Sequence, residues 1–147
     1  MTTIAWDGKT LASDTRCNSG NVKFKVTKIR RHRGHLIGYA GPLDLGAEMF
    51  AWYTQGADPE QFPADQLSEE DRTDFLVITP KRKILVYQKS AYPLDMTMNR
   101  FFAIGSGRDF AIAAMHLGKS AEEAVGIAGL YDTGTDAEGV ITLCLDS

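Results

Sequence analysis

The first fourteen residues alternate in character in a way that favours a β-hairpin. Thr2, Ile4 and Trp6 share one face of an extended strand, and the other face carries Thr3, Ala5 and Asp7. Asp7-Gly8 is typical of a tight turn, because glycine supplies the positive φ that such turns need. The return strand then brings the Asp14 carboxylate back beside the start of the chain. A hairpin at this position favours a fold built around antiparallel strands.

The residue after the initiator methionine carries a potential nucleophile. If Met1 is removed, Thr2 has both a hydroxyl group and a free α-amine. Such an amine has a reference pKa of about 8, low enough for it to act as a general base near neutral pH. Many proteins begin with Met-Thr and do not use the threonine. This feature alone therefore leaves two interpretations open, a catalytic N-terminus and an ordinary one.

Length and charge exclude several classes of protein. With 147 residues, the chain is long enough for one domain with a core of its own. Its net charge of −3 argues against nucleic acid as the main partner, since phosphate binding depends on a positive surface. We expect no membrane segment, because no apolar run approaches the roughly 20 residues needed. We also expect no signal peptide, because the N-terminus lacks a basic start and an apolar stretch.

Cysteine and histidine usage indicates neither a disulfide framework nor a metal site. Cys17, Cys144 and the three histidines show no metal-ligand spacing. We therefore predict free thiols, no metal and no cofactor. Free thiols are typical of a reducing compartment, so we predict a cytoplasmic location.

A basic stretch between residues 23 and 33 holds six lysine or arginine residues. It could be a nucleic-acid patch, but its period-2 pattern is more informative. If residues 22–31 form a regular strand, Phe24, Val26 and Lys28 share one face. An inward lysine is costly unless it meets a carboxylate or takes part in chemistry, so Lys28 is a candidate functional residue. The alternative is that Lys28 extends along the surface to solvent.

The remaining pattern predicts strands and helices in separate runs. The predicted elements are a polar loop at 15–21, strands at 34–41, 75–79, 83–87, 101–104 and 139–145, a weaker extended piece at 90–97, helices at 42–55, 109–117 and 120–130, and an exposed connection at 56–72 with one short helical turn. Ser120 opens the last helix with a capping box, and Leu130 is the last residue of its apolar stripe. Strands segregated from helices favour an α+β fold of two packed antiparallel sheets covered by helices. We expect a single domain over residues 1–147.

Five short motifs give the chain a resemblance to a known family. They are Thr2-Thr3-Ile4, Ser13-Asp14-Thr15-Arg16, Val26-Thr27-Lys28-Ile29-Arg30-Arg31, Gly38-Tyr39-Ala40-Gly41 and Phe102-Ala103-Ile104-Gly105-Ser106-Gly107. In their order and approximate spacing the chain resembles proteasome β-type subunits and HslV-like peptidases, which are N-terminal nucleophile hydrolases. It would be a short member of that family. The resemblance covers nearly the whole chain and implies a four-layer αββα sandwich of two antiparallel sheets.

The resemblance implies a threonine peptidase that hydrolyses peptide bonds once Met1 has been removed. Thr2 would be the nucleophile, Lys28 would lower the pKa of its hydroxyl, and Asp14 would neutralise the lysine. The other implied roles are Ser106 beside the α-amine, the Gly41 N–H in the oxyanion hole, Asp132 supporting the amine, and Tyr39 and Leu43 flanking the pocket for the residue before the cleaved bond. The strand pattern predicts an inward Lys28 and an Asp14 near Thr2 independently of the resemblance.

The resemblance also bears on partners and assembly. It implies peptide or unfolded-protein substrates, a homo-oligomeric ring that confines the active threonines, and an ATPase unfoldase as a candidate partner. The chain departs from the family between Gly56 and Phe75, where relatives carry a long second helix used in ring contacts. It also has Thr135-Asp136 where proteasome subunits usually have Ser-Gly, and only Met1 precedes the threonine, as in HslV. A catalytically silent scaffold or ring subunit is the alternative function.

Overall fold

The computed structural model describes residues 2–63 and 73–145, and within those residues the chain forms eleven strands and three α-helices. The strands are β1 (Thr3–Trp6), β2 (Thr10–Ser13), β3 (Arg16–Ser19), β4 (Val22–Lys25), β5 (Ile29–His32), β6 (His35–Ala40), β7 (Asp74–Ile78), β8 (Ile84–Tyr87), β9 (Leu94–Asp95), β10 (Phe102–Gly105) and β11 (Ile141–Cys144). The helices are α1 (Leu43–Thr54), α2 (Arg108–His116) and α3 (Ala121–Tyr131). The predicted α+β class is confirmed.

Two antiparallel sheets contain most of the strands. The first sheet has the order β10-β1-β2-β11, and the second has the order β5-β6-β7-β8-β9. The N-terminal hairpin lies in the middle of the first sheet, with Ala5 opposite Ala12 and Trp6 opposite Leu11. Its turn is closed by a 3.2 Å bond from the Asp7 N–H to the carbonyl of Thr10. The central hairpin predicted from the alternating pattern is therefore present.

Three apolar clusters determine how the sheets and helices pack. The first cluster joins Ile4 and Trp6 of the first sheet to strands of the second sheet. The second joins Ala5, on the opposite face of β1, to α2 and α3. The third joins the second sheet, through Ile37 and Phe75, to α1. The predicted alternation in the first strand is confirmed, because its two faces enter different clusters.

The capping box predicted for the last helix is present. Ser120 Oγ accepts a hydrogen bond from the Glu123 N–H, and Glu123 Oε1 accepts one from the Ser120 N–H, each at 3.1 Å. The apolar stripe of α3 is shorter than predicted, because Leu130 is 70% exposed. The buried positions recur every three or four residues from Ala121 to Ala128, and residue 130 falls outside that face.

Two predictions for the segment 15–31 are wrong. Residues 15–21 are not a polar loop, because β3 pairs with β4 in a small two-stranded sheet, with Arg16 opposite Lys25. Residues 22–31 are not one regular strand either, because β4 ends at Lys25 and β5 begins at Ile29. Phe24 is 54% exposed, so it does not share a buried face with Lys28. A two-stranded hairpin with both faces open to solvent accepts polar residues, which removes the alternation that predicts strands.

The connection after α1 is only partly described. A single 3₁₀ turn at Pro59–Gln61 follows the helix, with the Asp58 side chain accepting a bond from the Glu60 N–H at 3.0 Å. This matches the predicted short helical turn, while residues 64–72 of the predicted connection lie outside the described residues. Among the described helices, none has both the length and the apolar character needed to cross a membrane.

Candidate active site

Thr2 immediately precedes β1, at the end of a central strand of the first sheet. It is buried, with 2% of its surface exposed, and it borders a cleft of about 430 Å³. The residues lining this cleft are Thr2, Arg16, Cys17, Asn18, Lys28, Gly41, Pro42, Leu43, Asp44 and Gly134. The first sheet, the small β3–β4 hairpin and the start of α1 therefore meet around the threonine.

A buried ion pair lies on one side of Thr2. Lys28 Nζ is 3.1 Å from Asp14 Oδ1 and 3.0 Å from Asp14 Oδ2, and the side chains are 1% and 0% exposed. Desolvation by burial lowers the pKa of Lys28, although the charge and the hydrogen bonds of Asp14 act in the opposite direction. The predicted ion pair is confirmed, even though the strand argument that led to an inward Lys28 was wrong about Phe24.

The Asp14 carboxylate also holds the start of β1. Asp14 Oδ1 accepts a hydrogen bond from the Thr3 N–H at 3.1 Å, and the Asp14 N–H donates to the carbonyl of Thr3 at 3.2 Å. One carboxylate therefore fixes both the lysine and the residue next to Thr2. The ion pair with Lys28 and the hydrogen bond from the Thr3 N–H offset part of the free energy that burying this carboxylate costs.

The Gly105-Ser106-Gly107 turn lies on the other side of Thr2. The backbone nitrogen of Thr2 donates to Ser106 Oγ at 3.3 Å, and the Gly107 N–H donates to the carbonyl of Thr2 at 3.4 Å. Gly105 has a φ of +100°, and a Cβ at that position would lie 2.0 Å from the Thr2 carbonyl oxygen. Glycine is required there for both reasons, so this turn is more than a generic connection between β10 and α2.

Asp132 follows the last turn of α3 and faces the same turn. Its Oδ2 accepts hydrogen bonds from Ser106 Oγ at 2.7 Å and from Thr135 Oγ1 at 2.6 Å. Desolvation would raise the pKa of Asp132, but the hydrogen bonds from Thr135 and Ser106 outweigh it and hold the pKa below its usual range. Asp132 is therefore ionised near neutral pH and lies one hydrogen bond away from the group that contacts the Thr2 nitrogen.

Thr3 and Thr135 belong to the site, although no role was predicted for either residue from the sequence. Their Oγ1 atoms are 2.6 Å apart, and the two residues are 0% and 2% exposed. The sequence marked Thr135 only as a departure from the family pattern. The available signal was a hydroxyl three residues after Asp132, at the end of a helix.

The three residues predicted to contact the substrate are placed differently from one another. Gly41 and Leu43 line the cleft, at the end of β6 and the start of α1. Tyr39 is not among the lining residues. It is 4% exposed and stacks on Phe75, with ring centroids 6.4 Å apart and an interplanar angle of 2°. Alternation along β6 turns Tyr39 toward α1, where a Cβ on Gly46 would lie 2.1 Å from its ring.

Among the described residues, no group of three histidine, cysteine or acidic side chains could hold a metal ion. Cys17, at the edge of the cleft, and Cys144 are both free thiols. The charged residues that line the cleft are Arg16, Lys28 and Asp44, while Asp14 contacts Lys28 and Asp132 contacts Ser106.

Comparison with known proteins gives a structural likeness and no sequence match. No protein-family model matches the chain, and no curated protein matches it. Among solved structures, the chain is similar to BPH from Thiobacillus denitrificans, at 20% identity and a TM-score of 0.68 over 99% of this chain and 98% of that chain. The same protein in complex with epoxomicin gives 18% identity and a TM-score of 0.68 over 99% of both chains.

A third similar structure is eukaryotic HslV from Trypanosoma brucei. It is 20% identical, with a TM-score of 0.65 over 97% of this chain and 98% of that chain. At these identities the likeness shows the fold. The chain therefore has the fold of the BPH and HslV structures over essentially its full length.

Proposed function

We propose that this chain is an N-terminal threonine peptidase of the proteasome and HslV type, active after removal of Met1. The observation that carries the proposal is the set of groups around Thr2. The Asp14–Lys28 ion pair lies on one side and the Ser106–Asp132 pair lies on the other, and Thr2 and Lys28 both line a cleft. Charged groups on both sides of a candidate nucleophile are typical of sites where proton transfer is controlled.

The proposed reaction begins with the Thr2 hydroxyl. Its oxygen attacks the carbonyl carbon of a peptide bond while its proton passes to the α-amine, and the amine then gives a proton to the leaving nitrogen. The resulting acyl-enzyme ester is hydrolysed by a water molecule that the same amine activates. Lys28 assists by placing a positive charge where the hydroxyl becomes anionic, and Asp14 keeps the ammonium in position.

Substrate contacts follow from the cleft. We assign the oxyanion hole to the Gly41 N–H, because Gly41 lines the cleft together with Thr2 and Lys28. Leu43 would contact the residue before the cleaved bond. Tyr39 supports that pocket from beneath, since its ring packs under α1 rather than in the cleft. The substrates would be peptides or unfolded proteins, with no cofactor or metal in the chemistry.

The larger architecture is part of the proposal. The three apolar clusters support a four-layer αββα sandwich, with α1 outside the second sheet and α2 and α3 outside the first sheet. We further propose a homo-oligomeric ring in the cytoplasm, with an ATPase unfoldase as the partner that delivers substrates. Light scattering at micromolar concentration tests the ring, and a monomer at that concentration contradicts it.

The decisive experiment uses protein that starts at Thr2, released from a cleavable fusion. It should hydrolyse short fluorogenic peptides, and Thr2→Ala should lower the rate by at least about 10³-fold without unfolding the protein. Thr54→Ala removes an exposed hydroxyl on α1 and serves as the matched control with unchanged activity. Full activity of Thr2→Ala contradicts the mechanism. An inert wild-type protein supports the alternative, a catalytically silent scaffold or ring subunit.

A further inference from the structure

We propose that Thr3 is a positioning residue for the reaction, acting through Thr135 on the groups that hold the Thr2 amine. The inference rests on the proposed function and assigns a role to a residue that has no contact with the substrate in that mechanism. It is carried by an unbroken series of hydrogen bonds that starts at the Thr2 nitrogen and returns to Thr3.

The series has four members after Thr2. The Thr2 nitrogen is 3.3 Å from Ser106 Oγ, which is 2.7 Å from Asp132 Oδ2. Asp132 Oδ2 is in turn 2.6 Å from Thr135 Oγ1, which is 2.6 Å from Thr3 Oγ1. Because Thr3 is covalently bonded to Thr2, the series closes into a ring.

Counting protons fixes the direction of each bond. Asp132 is ionised and can only accept, so the single hydroxyl proton of Thr135 points to Asp132. Thr135 then has no proton left for Thr3, so the Thr3 hydroxyl must donate to Thr135. Ser106 also uses its proton on Asp132, at 2.7 Å, in preference to the Thr2 carbonyl at 3.4 Å.

This polarity has a consequence for the amine. With its proton committed to Asp132, Ser106 Oγ can only accept from the Thr2 nitrogen. A neutral α-amine that donates one N–H to Ser106 keeps its lone pair free to take the proton of the Thr2 hydroxyl. This closed series of hydrogen bonds therefore orients the α-amine, which is the general base. The hydroxyl of Thr3 is the donor that fixes the orientation of Thr135.

Thr3 also connects the two sides of the site. Its backbone N–H donates to Asp14 Oδ1 at 3.1 Å, and that carboxylate holds Lys28. Its side chain contacts Thr135 on the opposite side. A Cβ on Gly107 would lie 2.1 Å from Thr3 Oγ1, so the hydroxyl occupies space that only a glycine at residue 107 leaves open. Small displacements of Thr3 would move the nucleophile relative to both networks.

The test compares two substitutions that separate the hydroxyl from the shape. Thr3→Val keeps the branched shape and removes the donor, whereas Thr3→Ser keeps the donor and removes a methyl group. With protein that starts at Thr2, we expect Thr3→Val to lower kcat about tenfold or more while KM changes less than about twofold. Thr3→Ser should restore kcat to within about threefold of wild type.

Control variants make the result specific. Thr10→Val removes a hydroxyl that contacts Cys144 Sγ at 3.4 Å, at the far end of the same hairpin, and should leave both constants unchanged. Thr135→Val tests the same bond from its other end, also in the event that Thr3→Val does not fold. The double variant Thr3→Val/Thr135→Val should have a kcat no lower than that of Thr135→Val alone, because both substitutions break the same series of hydrogen bonds.

Different failures have different meanings. If wild-type protein does not cleave peptides, the proposed function fails before this test begins. If wild type is active and folded Thr3→Val has the wild-type kcat, or if Thr3→Ser is as slow as Thr3→Val, the positioning role is overturned.

Discussion

Replacing Asp14 with asparagine should destabilise the protein strongly and in a pH-dependent way. Asp14→Asn leaves Lys28, only 1% exposed, without its counter-charge. Breaking one partner of a buried ion pair typically costs about 3–5 kcal/mol, because the remaining charge stays desolvated. The Thr3 N–H can still donate to the amide oxygen, so the loss should come mainly from the lysine.

The pH dependence follows from the pKa of Lys28. Burial already lowers it from 10.5 in the folded protein, and removing Asp14 takes away the main influence that raises it. Between the lowered folded pKa and 10.5 the unfolded chain binds more protons than the folded one, so stability rises with pH. This window is wider for Asp14→Asn than for wild type. The difference between their free energies of unfolding should therefore shrink as the pH rises from 7 toward 10.

Urea denaturation at several pH values measures these differences. Asp14→Asn combined with Lys28→Met should be more stable than Asp14→Asn alone, since no buried charge remains. Asp109→Asn is the matched control, because its ion pair with Arg108 is exposed and should be worth less than about 1 kcal/mol. A loss below about 1 kcal/mol for Asp14→Asn, or a loss that does not change with pH, would refute the argument.

Three further predictions concern the role of Lys28 in activity, the need for glycine at residue 105, and a buried hydroxyl. Lys28→Ala and Lys28→Arg should each lower kcat/KM in peptide hydrolysis by about 10²-fold or more, because neither places a compact ammonium beside Thr2. Gly105→Ala should abolish hydrolysis and lower the melting temperature, because its Cβ would collide with the Thr2 carbonyl. Gly126→Ala in α3 has nothing within 4 Å of its Cβ, so it should raise the free energy of unfolding by about 0.5–1 kcal/mol in calorimetry. Thr73→Val should raise the free energy of unfolding in urea by about 1 kcal/mol, since within the described residues its buried hydroxyl has no hydrogen-bond partner.

The elements of the fold in which apolar residues recur with a clear period, or which begin with a local capping motif, could be predicted from the sequence. The alternation around Ile4 and Trp6 and the capping box at Ser120 both report local constraints, and both features are present. The small hairpin of residues 16–25 was missed because neither of its faces is buried. Without a buried face, a strand has no reason to alternate, so its sequence looks like a loop.

The candidate site could be predicted only in part, for a related reason. Lys28 was singled out because an inward lysine requires a carboxylate, and its pairing with Asp14 followed from the family resemblance. The contact between Thr3 and Thr135 joins residues 132 positions apart, and threonine is common enough that no local pattern marks it. Tyr39 was expected beside the pocket, but which face of β6 meets α1 depends on the packing of the whole sheet.

The most direct measurement of the central claim is covalent trapping of the N-terminal residue. A peptide epoxyketone carries two electrophiles, a ketone that a hydroxyl can attack and an epoxide that an adjacent amine can open. Protein that starts at Thr2 should gain the mass of one inhibitor per chain, and fragment mass spectra should place it on Thr2. Thr2→Ala and protein that retains Met1 should gain none. An adduct on Cys17 or Lys28 instead, or no adduct on protein that starts at Thr2, would contradict the assignment of Thr2 as the nucleophile.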